Sequence, residues 1–108
     1  MRVYISGPMT GHKDLNIPVF QAAETLLTNA GFPVVNPAKI NPDPATGWTT
    51  AMRRDIRALM DCDCILMLPG WMESRGAKLE QHIAADLGMP VYYRIEDLTE
   101  NSRQEVSA

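Results

Sequence analysis

The sequence predicts an α/β domain, with helices packed on a mostly parallel sheet of four to five strands. Three observations predict it. Short β-branched or apolar runs alternate with stretches of helical periodicity along the whole chain. One run, Cys64-Ile65-Leu66-Met67-Leu68, is apolar without interruption, the pattern of a central strand covered on both faces. The 108 residues, 45% hydrophobic and 21% charged, suit a single globular core with little room for a second.

The elements follow in order. Val3 to Ser6 is a β-branched and aromatic run stopped by Gly7-Pro8. Asn16 is a fitting N-cap, and Pro18 suits the first turn of the helix it opens. Phe20, Ala23, Leu27 and Ala30 then recur at helical spacing, and Gly31 supplies the stop. Phe32 to Val35 reads as a second strand ended by Asn36-Pro37. From Pro37 to Gly47, three prolines and a glycine predict a loop. Thr49 is the expected cap of the next helix, which runs to Cys62. After the central run, Pro69-Gly70 breaks the chain, Ser74 caps a third helix that ends at Gly88, and Pro90 to Tyr93 is the fourth strand. Residues 1–94 form the α/β domain in this reading. Residues 95–108 are a polar tail, with a short helix near Glu96 to Asn101 and a frayed end.

In parallel sheets ligands bind beyond the carboxyl ends of the strands, where strand order reverses. Those ends are Ser6-Gly7-Pro8, Asn36-Pro37, Pro69-Gly70-Trp71 and Tyr93-Arg94. Two carboxylates belong to this edge and occupy positions where apolar side chains are expected. Asp55 falls in the stripe of Trp48, Met52, Ile56, Leu59 and Met60. Glu80 falls in that of Gly76, Leu79, Ile83, Ala84 and Leu87. Residues three and four apart share a helix face, so both point toward the packed side. A carboxylate pair held partly out of water is what acid/base or nucleophilic chemistry requires. The plainer alternative is a border position, each carboxylate reaching solvent or pairing with Arg54 or Arg57. Asp61 and Asp63, at the opposite edge, read as surface or capping residues.

Ser74-Arg75-Gly76-Ala77 opens its helix with a hydroxyl, a cation and exposed backbone amides, an arrangement suited to an anion such as phosphate; Ser74 serves equally as a plain N-cap. Gly7 to Gly11 adds backbone and the Thr10 hydroxyl at the neighbouring strand end, without the glycine spacing or the Lys-Ser/Thr pair of a P-loop. Trp48 and Trp71 flank the rim, where either can stack on a flat base or simply pack. His12 and His82 are not spaced as ligands of one metal and receive no role. Cys62 and Cys64, two apart, are read as facing one side of a strand and as small buried residues rather than a disulfide or metal site. No cofactor or metal is expected. The net charge of −3 and the lack of a Lys/Arg cluster argue against polymeric nucleic acid. The chain opens on a strand, with no charged leader and no run of about 18 apolar residues, so a soluble, cytoplasmic protein without membrane contact is expected.

Val3-Tyr4-Ile5-Ser6-Gly7-Pro8-Met9, Val34-Val35-Asn36-Pro37, Met52-Arg53-Arg54-Asp55-Ile56, Pro69-Gly70-Trp71 and Ser74-Arg75-Gly76-Ala77-Lys78-Leu79-Glu80 together resemble the nucleoside 2-deoxyribosyltransferase superfamily. Within it they are similar to a short branch of phage and prophage proteins, the domain of unknown function DUF4406, and to the 2'-deoxynucleoside 5'-phosphate N-hydrolases. The resemblance spans residues 1 to about 93 and is most specific in the Ser-x-Gly-x-x-x-Glu pattern. It implies a Rossmann-like or flavodoxin-like three-layer sandwich and cleavage of a nucleoside N-glycosidic bond, as hydrolase or transferase. By position Glu80 matches the nucleophile, Asp55 the acid/base residue, Tyr4 and Gly7 residues lining the sugar pocket, and Ser74 a residue that binds the 5'-phosphate in the hydrolases. Pro8, Asn36, Trp48, Trp71, Arg75 and Gly76 join them as candidate substrate contacts. The partner implied is a small nucleoside or nucleotide, and the assembly a homodimer or larger homo-oligomer in which a neighbouring C-terminal segment completes each site; Asn101 or Ser102 is the candidate residue here. The chain departs from the superfamily in being shorter and in carrying Met9 and Thr10 where the hydrolases have an arginine. A second reading, from a different class, is a non-catalytic nucleotide-binding protein on the same fold. On the first reading Asp55 holds a proton near neutral pH while Glu80 stays ionised.

Overall fold

The computed structural model describes the backbone of residues 1–107 and the side chains of residues 1–102. Strands β1 (Val3–Ser6), β2 (Val34–Val35), β3 (Cys64–Met67) and β4 (Val91–Tyr92) form one parallel sheet in the order β2-β1-β3-β4. That is the flavodoxin-like order, whose reversal point lies between β1 and β3. Ser6 stands in register with Met67 at the ends of those two strands.

Strand alternation divides the core in two. Val3, Ile5, Cys64 and Leu66 face one side, with Phe20, Ala23 and Leu27 of helix α1 (Ile17–Asn29) and Leu98 of the C-terminal helix. Tyr4, Ile65 and Met67 face the other, with Leu59, Ala77 and Ala84 from the two helices that cover that side. Cys62 joins this second group while Cys64 belongs to the first. The expectation that the two cysteines share a face is therefore corrected: β3 begins only at Cys64, so strand alternation does not relate them.

Several boundaries also differ from the sequence reading. The proline-rich stretch after β2 is not all loop. Asn36 accepts a hydrogen bond from the Ala38 amide at 2.9 Å and caps one helical turn, α2 (Pro37–Ile40). Pro37 stands at the first helical position, where its missing N–H costs nothing. The next helix, α3 (Trp48–Met60), begins before Thr49 and has Gly47 at its N-cap. Asn16 precedes α1 in a left-handed conformation and makes no side-chain cap; its amide instead donates to the Pro8 carbonyl at 2.9 Å. Asp14, Leu15 and Asn16 are three consecutive left-handed residues, a conformation costly outside glycine.

Helix α4 (Arg75–Asp86) begins as expected: Ser74 accepts from the Ala77 amide at 3.2 Å. Its buried side chains are Ala77, Glu80 and Ala84, whereas Leu79 and Leu87 are exposed, so the buried stripe lies about one residue away from the one read in the sequence. The chain after β4 forms a longer helix than expected, α5 (Ile95–Ser107), anchored by the fully buried Leu98. None of the described helices is long and apolar enough to cross a membrane.

Candidate active site

Glu80 lies in the second turn of α4 and Asp55 two turns into α3, the two helices on the Tyr4 side of the sheet. Glu80 is 4% exposed and Asp55 8%, so neither is a border residue. No described cation pairs with either; Arg54 reaches the Asn41 side-chain oxygen at 3.3 Å rather than Asp55.

Each carboxyl has its own partners. Ser6 donates to Glu80 Oε1 at 2.7 Å, and the Tyr4 hydroxyl donates to Oε2. Both donors come from β1, two residues apart and therefore on one face of the strand. Asp55 Oδ1 accepts from the Asn41 amide at 2.8 Å. Asn41 follows α2, so the single helical turn after β2 delivers the residue that orients Asp55.

Burial pushes the Glu80 carboxyl up to about 7; the Tyr4 and Ser6 hydrogen bonds oppose the rise, and the Asp55 charge adds to it. Burial likewise raises Asp55 to about 6, against the Asn41 hydrogen bond. Tyr4 is driven well above its ordinary value, first by burial and then by Glu80, and stays a donor at any working pH. Both carboxyls thus titrate near neutrality, and Glu80 rises at least as far as Asp55. An ionised Glu80 beside a protonated Asp55 is accordingly not the fixed state of the free protein.

Both carboxyls line one cavity of about 100 Å³ with Gly7, Met9, Thr10, Trp48, Ser74 and Gly76. It adjoins a wider one of about 340 Å³ that includes Pro8, His12 and Arg75 and shares Thr10, Trp48, Ser74 and Gly76. The Arg75 guanidinium lies 3.7 Å from the centre of the Trp48 ring. Gly76 lets α4 pass close to α3: a Cβ there would stand 2.9 Å from Met52 Sδ, so a larger residue needs Met52 to give way.

Of the residues proposed from sequence, Glu80, Asp55, Gly7, Trp48, Ser74 and Gly76 meet in the first cavity, with Pro8 and Arg75 in the second. Tyr4 is fully buried behind Glu80, off the cavity wall, and reaches the site through its hydrogen bond to that carboxyl. Asn36 is spent on capping α2. Trp71 packs against Tyr93, ring centres 5.6 Å apart, in a separate cavity. Asn101 donates to the Tyr92 hydroxyl of its own chain at 2.7 Å. The sequence reading missed Ser6 and Asn41. Ser6 was findable, two after Tyr4 on a buried strand; a loop asparagine carries no such signal. Among the described residues no group of three His, Cys, Asp or Glu is arranged to hold a metal.

A family pattern described as a domain of unknown function, DUF4406, matches residues 1–93. The chain belongs to that family. No curated protein matches this DUF4406 member in sequence. Among solved structures it is similar to a 2-deoxyribosyltransferase from the psychrotolerant bacterium Bacillus psychrosaccharolyticus, at 19% identity and a TM-score of 0.67, over 84% of this chain and 69% of that one. At that identity the likeness establishes the shared fold.

Proposed function

We propose that this DUF4406 protein cleaves the N-glycosidic bond of a deoxynucleoside or its 5'-monophosphate, with Glu80 as nucleophile and Asp55 as the acid that assists the leaving base. The observation that carries the reading is the pair of buried carboxyls, unpaired with any described cation, on one cavity. The deoxyribosyltransferase fold of the similar structure supports the substrate class.

In the first step a Glu80 carboxylate oxygen forms a bond to C1' of the sugar as the C1'–N bond breaks, and the base leaves with a proton from Asp55. In the second, water or another base attacks C1'; Asp55, now ionised, takes the proton of the attacking group, and Glu80 leaves as carboxylate. Binding a 5'-phosphate falls to the start of α4, where the Ser74 oxygen caps Ala77 while its own proton remains free to donate. A homo-oligomer in which a neighbouring chain closes the cleft is part of this proposal.

The test is incubation of the purified protein with a panel of deoxynucleosides and their monophosphates, followed by detection of free base. Release is expected from at least one. Saturable binding without release would instead establish a nucleotide-binding protein, and neither binding nor release would remove both readings.

A further inference from the structure

We propose that Ser6 is a positioning residue for the reaction, holding Glu80 ionised and in line through the hydrogen bond from its hydroxyl to Oε1. The inference rests on the assignment of Glu80 as nucleophile and concerns a residue outside the cavity. Ser6 is fully buried and is not on the cavity wall, so it touches Glu80 and not the substrate.

Glu80 faces an unusual set of neighbours. On β1 these are Tyr4 and Ser6, and on α3 it is Asp55, whose charge opposes its ionisation. No described cation is among the groups acting on it. Two neutral hydroxyls therefore provide what an arginine or lysine provides at most buried carboxylates. The two donors also fix both oxygens. If Glu80 takes up a proton, one hydroxyl must turn and find another acceptor, and neither Tyr4 nor Ser6 makes any second side-chain bond. The two bonds favour the carboxylate over the acid and oppose the rise that burial causes.

The same geometry serves the covalent step. When one oxygen bonds to C1' it becomes the ester oxygen, and its hydroxyl loses an anionic acceptor. The other oxygen becomes the ester carbonyl and keeps its donor. As the intermediate breaks down, the C1'–O bond cleaves, the electron pair returns to Glu80, and both hydroxyls regain full acceptors. Ser6 thus acts on formation and loss of the ester and leaves substrate affinity alone.

Two measurements test this on Ser6→Ala. The Glu80 carboxyl is titrated by ¹³C NMR with labelled glutamate, its resonance assigned by absence in Glu80→Gln. Its midpoint is expected to rise by about one pH unit in Ser6→Ala. Base release is then followed across pH: kcat is expected to fall about tenfold more at pH 6 than at pH 9, with KM changed less than twofold. An unchanged Glu80 midpoint, or a loss uniform across pH, overturns the proposal. Should Ser6→Ala fail to fold, Ser6→Cys keeps the volume with a weaker donor, and its midpoint is expected between wild type and full loss; a wild-type midpoint there overturns the proposal equally. If the wild type releases no base from any substrate, the glycosidase reading fails, while the NMR titration still decides whether Ser6 holds Glu80 ionised.

Discussion

The two carboxyls of the cleft are both buried and both near neutrality in pKa, yet they are held in different ways. Glu80 is gripped at both oxygens by hydroxyls from β1, a strand paired on both sides at the centre of the sheet. Asp55 is held at one oxygen by Asn41, a half-exposed residue just past a single helical turn, whose side-chain oxygen accepts from the exposed Arg54 at 3.3 Å. The division suits the two roles proposed for them. A nucleophile must meet one carbon at one place, so rigid placement on the sheet serves it. An acid must deliver its proton to leaving groups of different shape, and a looser tether leaves one Asp55 oxygen available.

The largest effect that sharpens this contrast is expected from Glu80→Gln. Base release should fall at least a thousandfold, since the amide accepts and donates in the same pocket but cannot form the ester. The same change should stabilise the fold at pH 8. Burial raises Glu80 from 4.5 to about 7 in the folded chain, so between those values the folded state binds more protons than the unfolded one, and stability falls as pH rises. The Gln variant escapes this and should gain roughly 2–3 kcal/mol at pH 8, a gain that vanishes toward pH 4. Thermal melts at the two pH values check it. A gain of the same size at both would show that Glu80 is not raised by burial.

Asp55→Asn comes next. A loss of about a hundredfold is expected for nucleosides with poor leaving bases and far less for activated ones, which need little protonation. In the wild type, Asp55 at about 6 and Glu80 at about 7 predict a bell-shaped pH profile with its summit between pH 6 and 7, the limbs belonging to the pair. The variant should lose the alkaline limb. Equal losses for both substrate types would mean that Asp55 positions the sugar or base instead.

Ser74→Ala should narrow any preference for monophosphates over nucleosides by about tenfold, from one lost charge-assisted hydrogen bond worth roughly 1.5 kcal/mol. Equal affinity of the wild type for both would remove the basis for a phosphate site there. The smallest effect is expected from Asn41→Ala. It removes the bond that holds Asp55 down, so the alkaline limb should shift to higher pH while the rate at the optimum drops only several-fold. If Asn41→Ala matches Ser6→Ala in severity, the contrast between the two tethers disappears.

The fold and the two carboxyls were legible because they follow from periodicity. The uninterrupted run at β3, the alternation of elements and the helical spacing that turns Asp55 and Glu80 inward depend on neighbours a few residues away. On α4 the spacing found the right residue through partly the wrong companions, since Ala77 and Ala84 carry the packing while Leu79 and Leu87 point outward. Small residues there let the helix sit close to the sheet, and that closeness depends on the partner surface. The proline-rich stretch hid α2, because Pro37 marks a helix start as readily as a break. The reach of Asn41 to Asp55 is a contact between separate elements, to which local pattern is blind.

Gly76 has a consequence for how the cleft can change. It stands against Met52, and the two carboxyls each follow one turn further along, Glu80 four residues after Gly76 and Asp55 three after Met52. The missing methyl group therefore works as a gauge between the two helices. Any larger residue there must push Met52 aside or spread the helices, and spreading them widens the gap between Glu80 and Asp55. The spacing of the two carboxyls thus leans on a methyl group that belongs to neither and is not there.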